Sequence, residues 1–340
     1  MLLACGAVRG DFGRAGEENM GGIVCGSANQ GGTAPAGGCE RAHPLAGLYA
    51  ALGHRVVSSL GATWIDVGRF SMTPVPYAGP VEATREDCEA LLRQAGRWVA
   101  VFPTTIPTGI TSGAYWVRDR DYGLSSLQKQ FRQHVRRGMQ SCAVRPLDWE
   151  TLRKLGLGCN LETMQRRGVE GSLVTTQAGW DRVCEVAADV EGLEAFGCFH
   201  GDQLLAFLIS WTHANVCEGL LLHRMRAGDQ RRASHLLYYE FTRMMCQREA
   251  LTGVTMGRHW LPPHRSIDQF KRHAGYQVEP IQVAAVLHPS LRGVLASPIT
   301  RSALRQMRRW AGTRLAVLDN VLILDVAVAT QLPHPPMAGR

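Results

Sequence analysis

No two cysteines of this chain are close enough in sequence to form a CxxC pair; all ten stand singly. That spacing removes zinc fingers and ribbons, whose ligands converge in pairs, and no metal site is expected. Cys198 and Cys217 lie inside apolar stretches, where a thiol behaves as a small hydrophobe, a usage that fits a reducing compartment better than a disulfide scaffold. Also missing are GxxxxGK[ST], HExxH and GxSxG, so P-loop enzymes, zincins and serine hydrolases lack their signatures. Long apolar runs are lacking too. The longest in the body of the chain, residues 204–211, falls far short of the roughly 20 residues a helix needs to cross a bilayer. The apolar opening at Met1 has no basic flank and is broken by Gly6, a poor match to a secretory leader. A cytoplasmic protein is the expectation.

What the chain does have is size and positive charge. With 340 residues, 45% of them apolar, it can bury a large core, and its length favours two domains. A formal net charge of +8 draws phosphorylated or anionic partners by long-range attraction while saying nothing about fold. Residues 1–42 are Gly-rich and show neither the helical nor the strand period, which reads as a disordered extension.

Between residues 43 and 140 the patterns predict a helix over 43–60, a strand over 63–70 and a turn at Pro74 and Pro76. A helix over 82–95, strands over 98–102 and 113–118, and a basic helix over 124–140 follow. The second half opens with a helix over 177–190. The strands 193–200 and 203–213 then flank Gly201-Asp202, a two-residue turn of the kind hairpins favour, and a third strand over 216–224 completes an antiparallel meander. A turn over 226–232, a helix over 233–249, a strand over 253–257, a helix over 265–273 and a strand over 277–286 complete the order. Residues 302–328 read as one or two helices with a basic face ahead of an apolar run, packing on the protein itself or on a membrane surface. The tail beyond contains several prolines.

In the second half, Leu236-Leu237-Tyr238-Tyr239-Glu240, then Met256-Gly257-Arg258, then Phe270-Lys271 leading to Gly275-Tyr276 resemble the C-terminal half of FemAB-like and GNAT-like acyltransferases, notably those associated with bacterial cell-wall and surface-polysaccharide genes. The resemblance covers roughly a hundred residues; the basic segment 122–138 is similar, less specifically, to part of the family's N-terminal half. It departs at Thr255-Met256-Gly257, where the family often has Asp-Phe-Gly. It implies an α/β (α+β) fold of two GNAT-like halves, with mixed, mostly antiparallel sheets flanked by helices. The halves would span 43–170 and 171–288, the second better preserved, with a helical segment and tail over 289–340.

Acyl transfer to an amine needs a donor held by its phosphates, an amine stripped of its extra proton and a stabilised oxyanion. In GNAT-type proteins, as the resemblance implies, the pantetheine arm of coenzyme A lies in a gap between splayed central strands, with its pyrophosphate at the start of the following helix. Here that place is the stretch 226–234, where Gly228, Gln230, Arg231, Arg232 and Ser234 are the cofactor-binding candidates; a plain turn with a solvated helix start is the alternative. For catalysis the candidates are Glu218 and His223 on the preceding strand, Tyr239 with its neighbours on the helix, and Lys271. The five-residue separation of Glu218 and His223 sets them on opposite faces of the strand, and a buried structural role for His223, core packing for the tyrosines and a structural ion pair for Lys271 stay open. Gly257 and Gly275 each end an element and need only their backbone freedom.

The expectation is an N-acyltransferase moving an acyl group from acyl-CoA to an amine of a sugar or cell-surface precursor. Two alternatives remain: an aminoacyl-tRNA donor, with Arg132, Arg136 and Arg137 holding RNA phosphates, and a GNAT-fold interaction module without catalysis.

Overall fold

A computed structural model of the chain describes residues 43–67, 70–77, 79–108, 111–169, 171–258 and 265–297, with single positions at Ile299, Ser302 and Gln306. The extension expected over 1–42, the helices expected over 302–328 and the proline-containing tail lie outside or almost outside the described residues.

In chain order the elements are α1 (Leu45–Ala51), β1 (Val56–Ser59), β2 (Ala62–Val67), β3 (Ser71–Val75), α2 (Arg85–Ala95), β4 (Val99–Thr104) and β5 (Thr111–Val117), then α3 (Lys129–Met139), β6 (Ala143–Leu147), α4 (Trp149–Arg167) and α5 (Gln177–Ala188). The meander β7 (Leu193–His200), β8 (Gln203–His213) and β9 (Val216–Arg224) follows. The chain continues through α6 (Arg226–Gln230), α7 (Ala233–Cys246), β10 (Gly253–Arg258), α8 (Arg265–His273), β11 (Gln277–Leu287) and α9 (Pro289–Ala296).

The eleven strands of the described residues join one mixed sheet in the order β1-β2-β3-β4-β11-β5-β10-β9-β8-β7-β6. Two crossings knit it together: β11, late in the chain, inserts between β4 and β5, and β5, early in the chain, inserts between β11 and β10. Most neighbours run antiparallel; β3 with β4 and β9 with β10 are parallel.

The meander forms where the sequence alternation predicts it, residue for residue, because Gly201 takes a positive φ at the β7–β8 turn. Four predictions need correcting. Residues 43–60 are a short helix and a strand, because Gly53 takes a positive φ just past the end of α1 and the chain turns into β1. Pro74 sits in β3 instead of a turn: β3 pairs β4 only at Ser71 and Met72, so at Pro74 that edge needs no N–H donor. The turn expected at 226–232 is largely the five-residue helix α6. The fourth is an omission, β6 and α4, for which no pattern was read. Apolar residues of α4 lie all round it, Leu152 buried and Leu155 and Leu161 exposed, so no single-face period appears; Asp148 starts it by accepting from the Thr151 N–H at 2.7 Å.

Three apolar clusters hold the layers. One packs α1, α4 and α5 on one face of the sheet around Trp180, Phe207 and Trp211. A second, around Phe131, Leu237, Phe241 and Met256, packs α3 and α7 on the other face. The third seats α2 on β2, β3 and β4. Gly257 and Gly275 both take positive φ, +72° and +87°: Gly275 follows the end of α8, where a side chain would meet the Ser126 carbonyl at 2.8 Å, whereas Gly257, expected to end its strand, lies one residue inside β10, at the irregularity between Thr255 and Arg258.

Candidate active site

The parallel ladder between β9 and β10 is short. It pairs Val216 with Gly253, Cys217 with Val254 and Glu218 with Thr255, and goes no further, although β9 runs on to Arg224 and β10 to Arg258. Beyond that last pair the strands part, and a cavity of about 460 Å³ opens between them. Its walls are the edge of β9 from Gly219 to Leu222, Met256 of β10, Ser234 and Tyr238 of α7, Phe270 and Lys271 of α8, and Thr163, Arg166 and Arg167 from the end of α4. The bore is apolar with a few polar groups, the usual make-up of a ligand site.

Several of those polar groups have nothing to bond. The Ser234 hydroxyl and the Tyr238 hydroxyl are each 5% exposed as residues and have no hydrogen-bond partner among the described residues. Buried hydroxyls are normally satisfied, so two orphans lining one cavity face a ligand-sized gap in the polar network. Next to them α7 begins without a side-chain cap, its N-cap Arg232 lying in the left-handed region at φ 60°. Helices α2, α4 and α5, by contrast, each begin under a Thr or Asp side chain. An uncapped helix start presents free N–H groups and the positive end of the helix dipole, an anion site.

Three arginines add charge at this end. Arg224 and Arg166 share one carboxylate, Asp229, at 2.9 and 3.3 Å, and Arg166 also donates to the Arg224 carbonyl at 2.9 Å. Nη1 of Arg167 is buried without a partner among the described residues. Burial first, then the neighbouring Arg166 and Arg224, push the Arg167 pKa down to about 10. With Glu162 and Arg226 also acting on Arg166, two acids stand against four guanidiniums and leave this end of the cavity positive.

At the fork itself sit Glu218 and Lys271, each 3% exposed. Burial drives the Glu218 carboxyl up to about 7, against the opposing pull of the Tyr77 N–H, Lys271 and Arg258; one of its oxygens has no hydrogen-bond partner among the described residues. Burial likewise pulls the Lys271 ammonium down to about 8, against the attraction of Asp268 and Glu218. Lys271 donates to the Met256 carbonyl at 2.6 Å and lies 4.4 Å from the centroid of the Tyr115 ring. A carboxyl and an amine whose pKa values both fall near neutrality, at the mouth of a cleft, are what proton transfer requires.

Of the other sequence candidates, Ser234 lines the cavity, whereas Tyr239 packs beside Tyr122 in the core, 5.8 Å between ring centroids, and its neighbour Tyr238 takes the cavity wall. His223 is buried away from the cavity, its ring nitrogen 2.5 Å from the Asn160 side-chain oxygen. Gly228 is buried in α6, where a side chain would meet the Leu205 carbonyl at 3.1 Å; its smallness serves packing against β8. Gln230 is exposed, and Arg231 points toward His200, 3.5 Å away. None of Gly228, Gln230, Arg231 and Arg232 is among the residues lining the cavity.

One geometric expectation is corrected. Glu218 and His223 share a face of β9. Between Gly219, paired with Ser210, and Leu221, paired with Ile209, β9 carries one extra residue. This bulge shifts the alternation by one, so Glu218 lies opposite Trp211 and His223 opposite Phe207, both on the α4 side.

Thr163, Arg166 and Arg167 are the residues that sequence reasoning missed; the signal for them was the basic pair closing a helix whose periodicity is blurred. Among the described residues no helix is long and apolar enough to cross a membrane.

No family model and no curated protein sequence matches the chain. Solved structures similar to it include FemX (11% identity, 75% of this chain and 93% of that one, TM-score 0.47). Two others are L-PGS from Bacillus licheniformis (12%, 76% and 91%, 0.42) and a GCN5-related N-acetyltransferase from Kribbella flavida (9%, 73% and 96%, 0.37). The chain is similar to a FemAB-like and GNAT-like set of structures, the group that residues 236–276 resemble.

Proposed function

We propose that the cleft between β9 and β10 is the transfer site of an N-acyltransferase that moves an acyl group from a CoA-type thioester to an amine of a sugar or cell-surface precursor. The observation that carries the reading is the fork: a parallel ladder that stops at Glu218 and opens into a cavity with orphaned hydroxyls, an uncapped helix start and an arginine nitrogen without a partner among the described residues.

In this reading the edge of β9 from Gly219 to Leu222 faces the donor's arm, and its phosphates meet the start of α7, Ser234, Arg167 and Arg224. Glu218 takes a proton from the acceptor's ammonium group, which a carboxyl near pKa 7 does readily at neutral pH. The free amine attacks the thioester carbonyl, and the Lys271 ammonium offsets the charge on the tetrahedral oxygen. Collapse forms the amide and expels the thiolate, which takes up a proton. Glu218 is the last paired residue and Gly219 the first on the cavity wall, so the base stands at the fork, beside the bore.

One observation favours a second donor class, an aminoacyl ester on tRNA. Between Tyr122 and Leu147 the chain has no acidic residue, while Lys129, Arg136 and Arg137 are exposed along α3 and Arg145 on β6. The two donors separate by experiment. With coenzyme A at a hundredfold excess over its dissociation constant, a stabilisation of about 2.7 kcal/mol should raise the melting temperature by several degrees. The shift should disappear in Arg167→Met. Tight tRNA binding that weakens steeply with salt, without any coenzyme A shift, would transfer the reading to the second donor. No response to either overturns both.

A further inference from the structure

Strand β5 belongs to the first half of the chain, yet it lies between β11 and β10, and it carries Tyr115 into the layer under α8. Tyr115 is fully buried, and the face of its ring stands 4.4 Å from the Lys271 nitrogen. We propose that Tyr115 is a positioning residue for Lys271, holding the amine charged and aimed at the cleft through the negative face of its ring. This rests on the reading of Lys271 as the group that meets the oxyanion.

The need follows from the surroundings. An ammonium so deeply buried loses much of its hydration, and it donates a hydrogen bond to the Met256 carbonyl at 2.6 Å. The charged and titratable groups around it are Asp268 on its own helix, Glu218 on β9, Arg258 on β10, Tyr238 on α7 and Tyr115 on β5. Glu218 is itself held toward its neutral form and Arg258 opposes a second cation, which leaves Asp268 as the acid that favours the charged amine. The face of the Tyr115 ring adds a second attraction from another strand, and burial strengthens the pull between ring quadrupole and cation. The Met256 carbonyl fixes one N–H direction and the ring fixes the side from which the ammonium cannot leave, so the remaining hydrogens are aimed toward the cavity that Lys271 lines.

This makes the two halves of the chain one machine: the first supplies the ring, the second the lysine. The electrostatic part of the claim is separable from packing. In the intact protein, Phe and a series of progressively fluorinated phenylalanines are placed at position 115 by stop-codon suppression. The series keeps the ring's shape closely while draining its negative face. The Lys271 titration is followed by ¹³C NMR after reductive ¹³C-methylation, assigned with Lys271→Arg, and folding of each variant is checked by its thermal melt. Tyr115→Phe also removes the hydroxyl that bonds Asp268, so Phe is the reference for the series. Against that reference the trifluorinated ring should lower the Lys271 pKa by about one unit, a tenfold loss of proton affinity, with intermediate members in order. A titration that stays at the Phe value throughout the fluorinated series overturns the proposal. The measurement needs no substrate, so this outcome is independent of coenzyme A binding: a shift in Lys271 without any donor binding would sink the acyltransfer reading and leave the ring–amine coupling standing.

Discussion

Replacing Glu218 by glutamine should make the protein more stable, and increasingly so as the pH rises. The carboxyl is buried, and its pKa stands near 7 against an ordinary 4.5. The folded state therefore holds a proton that the unfolded state has released across that window. A folded state that binds more protons loses stability as the pH rises. The difference of about 2.5 units corresponds to roughly 3 kcal/mol lost by the time the pH is above 7. At pH 5 less than 1 kcal/mol of this has been lost, by the same relation, so the gap between variant and wild type should widen by about 2 kcal/mol from pH 5 to 7.5. Glutamine keeps the shape and the acceptor oxygen for the Tyr77 N–H but cannot ionise. The upper limit of pH 7.5 keeps the comparison below the Lys271 pKa of about 8. Urea unfolding of both proteins at half-unit steps gives the gap directly, and titrations common to both cancel. A gap that stays flat over the window would refute the reasoning, for it would mean that Glu218 is ionised in the fold and no reservoir of proton affinity exists at the fork.

Other outcomes follow from the same geometry. Arg167→Met removes a buried guanidinium nitrogen without a partner, so the ligand-free protein should melt at the same temperature or higher while its response to an anionic donor is lost; a lower melting point with an intact donor shift would contradict the assignment. Gly138→Ala places a methyl 2.9 Å from Leu236 Cβ at the contact of α3 with α7, and should cost about 1–3 kcal/mol in urea unfolding. Lys271→Met leaves the Met256 carbonyl without its donor, and should abolish transfer while donor binding, read by thermal shift, survives. Arg231→Ala and Arg232→Ala should each weaken donor binding less than Arg167→Met, since neither residue lines the cavity.

Much of the second half was legible because its strands are buried on one or both faces and bounded by turn residues. The alternation from 193 to 224 and the Gly-Asp turn left one arrangement open, and the chain takes it. The first half was harder to read. A four-residue strand such as β1 carries too few positions to show a period, and Pro74 argues for a turn until the neighbouring strand is known to have left it. The place of β5 between β11 and β10 joins residues more than 130 positions apart in the chain, as in Thr255 opposite Trp116. No local pattern encodes such a pairing, and with it went any chance of seeing Tyr115 beside Lys271.

The site was legible in chemical type more than in position, and the reason is parity. Counting along a strand assigns faces by odd and even, which holds only while every residue of one strand has one opposite it. The extra residue of β9 between Gly219 and Leu221 breaks the count at the point where the ladder to β10 has just ended. The two irregularities belong together. A strand that must leave one neighbour while staying bonded to the other has to bend, and a bulge supplies the bend along with added twist. The feature that defeats the face assignment is thus the one that opens the cavity, and Glu218 is set at the fork because it is the last residue before the bend. Tyr238 and Tyr239 repeat the lesson on a helix: one step of about 100° separates a hydroxyl facing the cavity from one packed in the core, and the sequence alone, Leu-Leu-Tyr-Tyr-Glu-Phe, offers apolar neighbours to both.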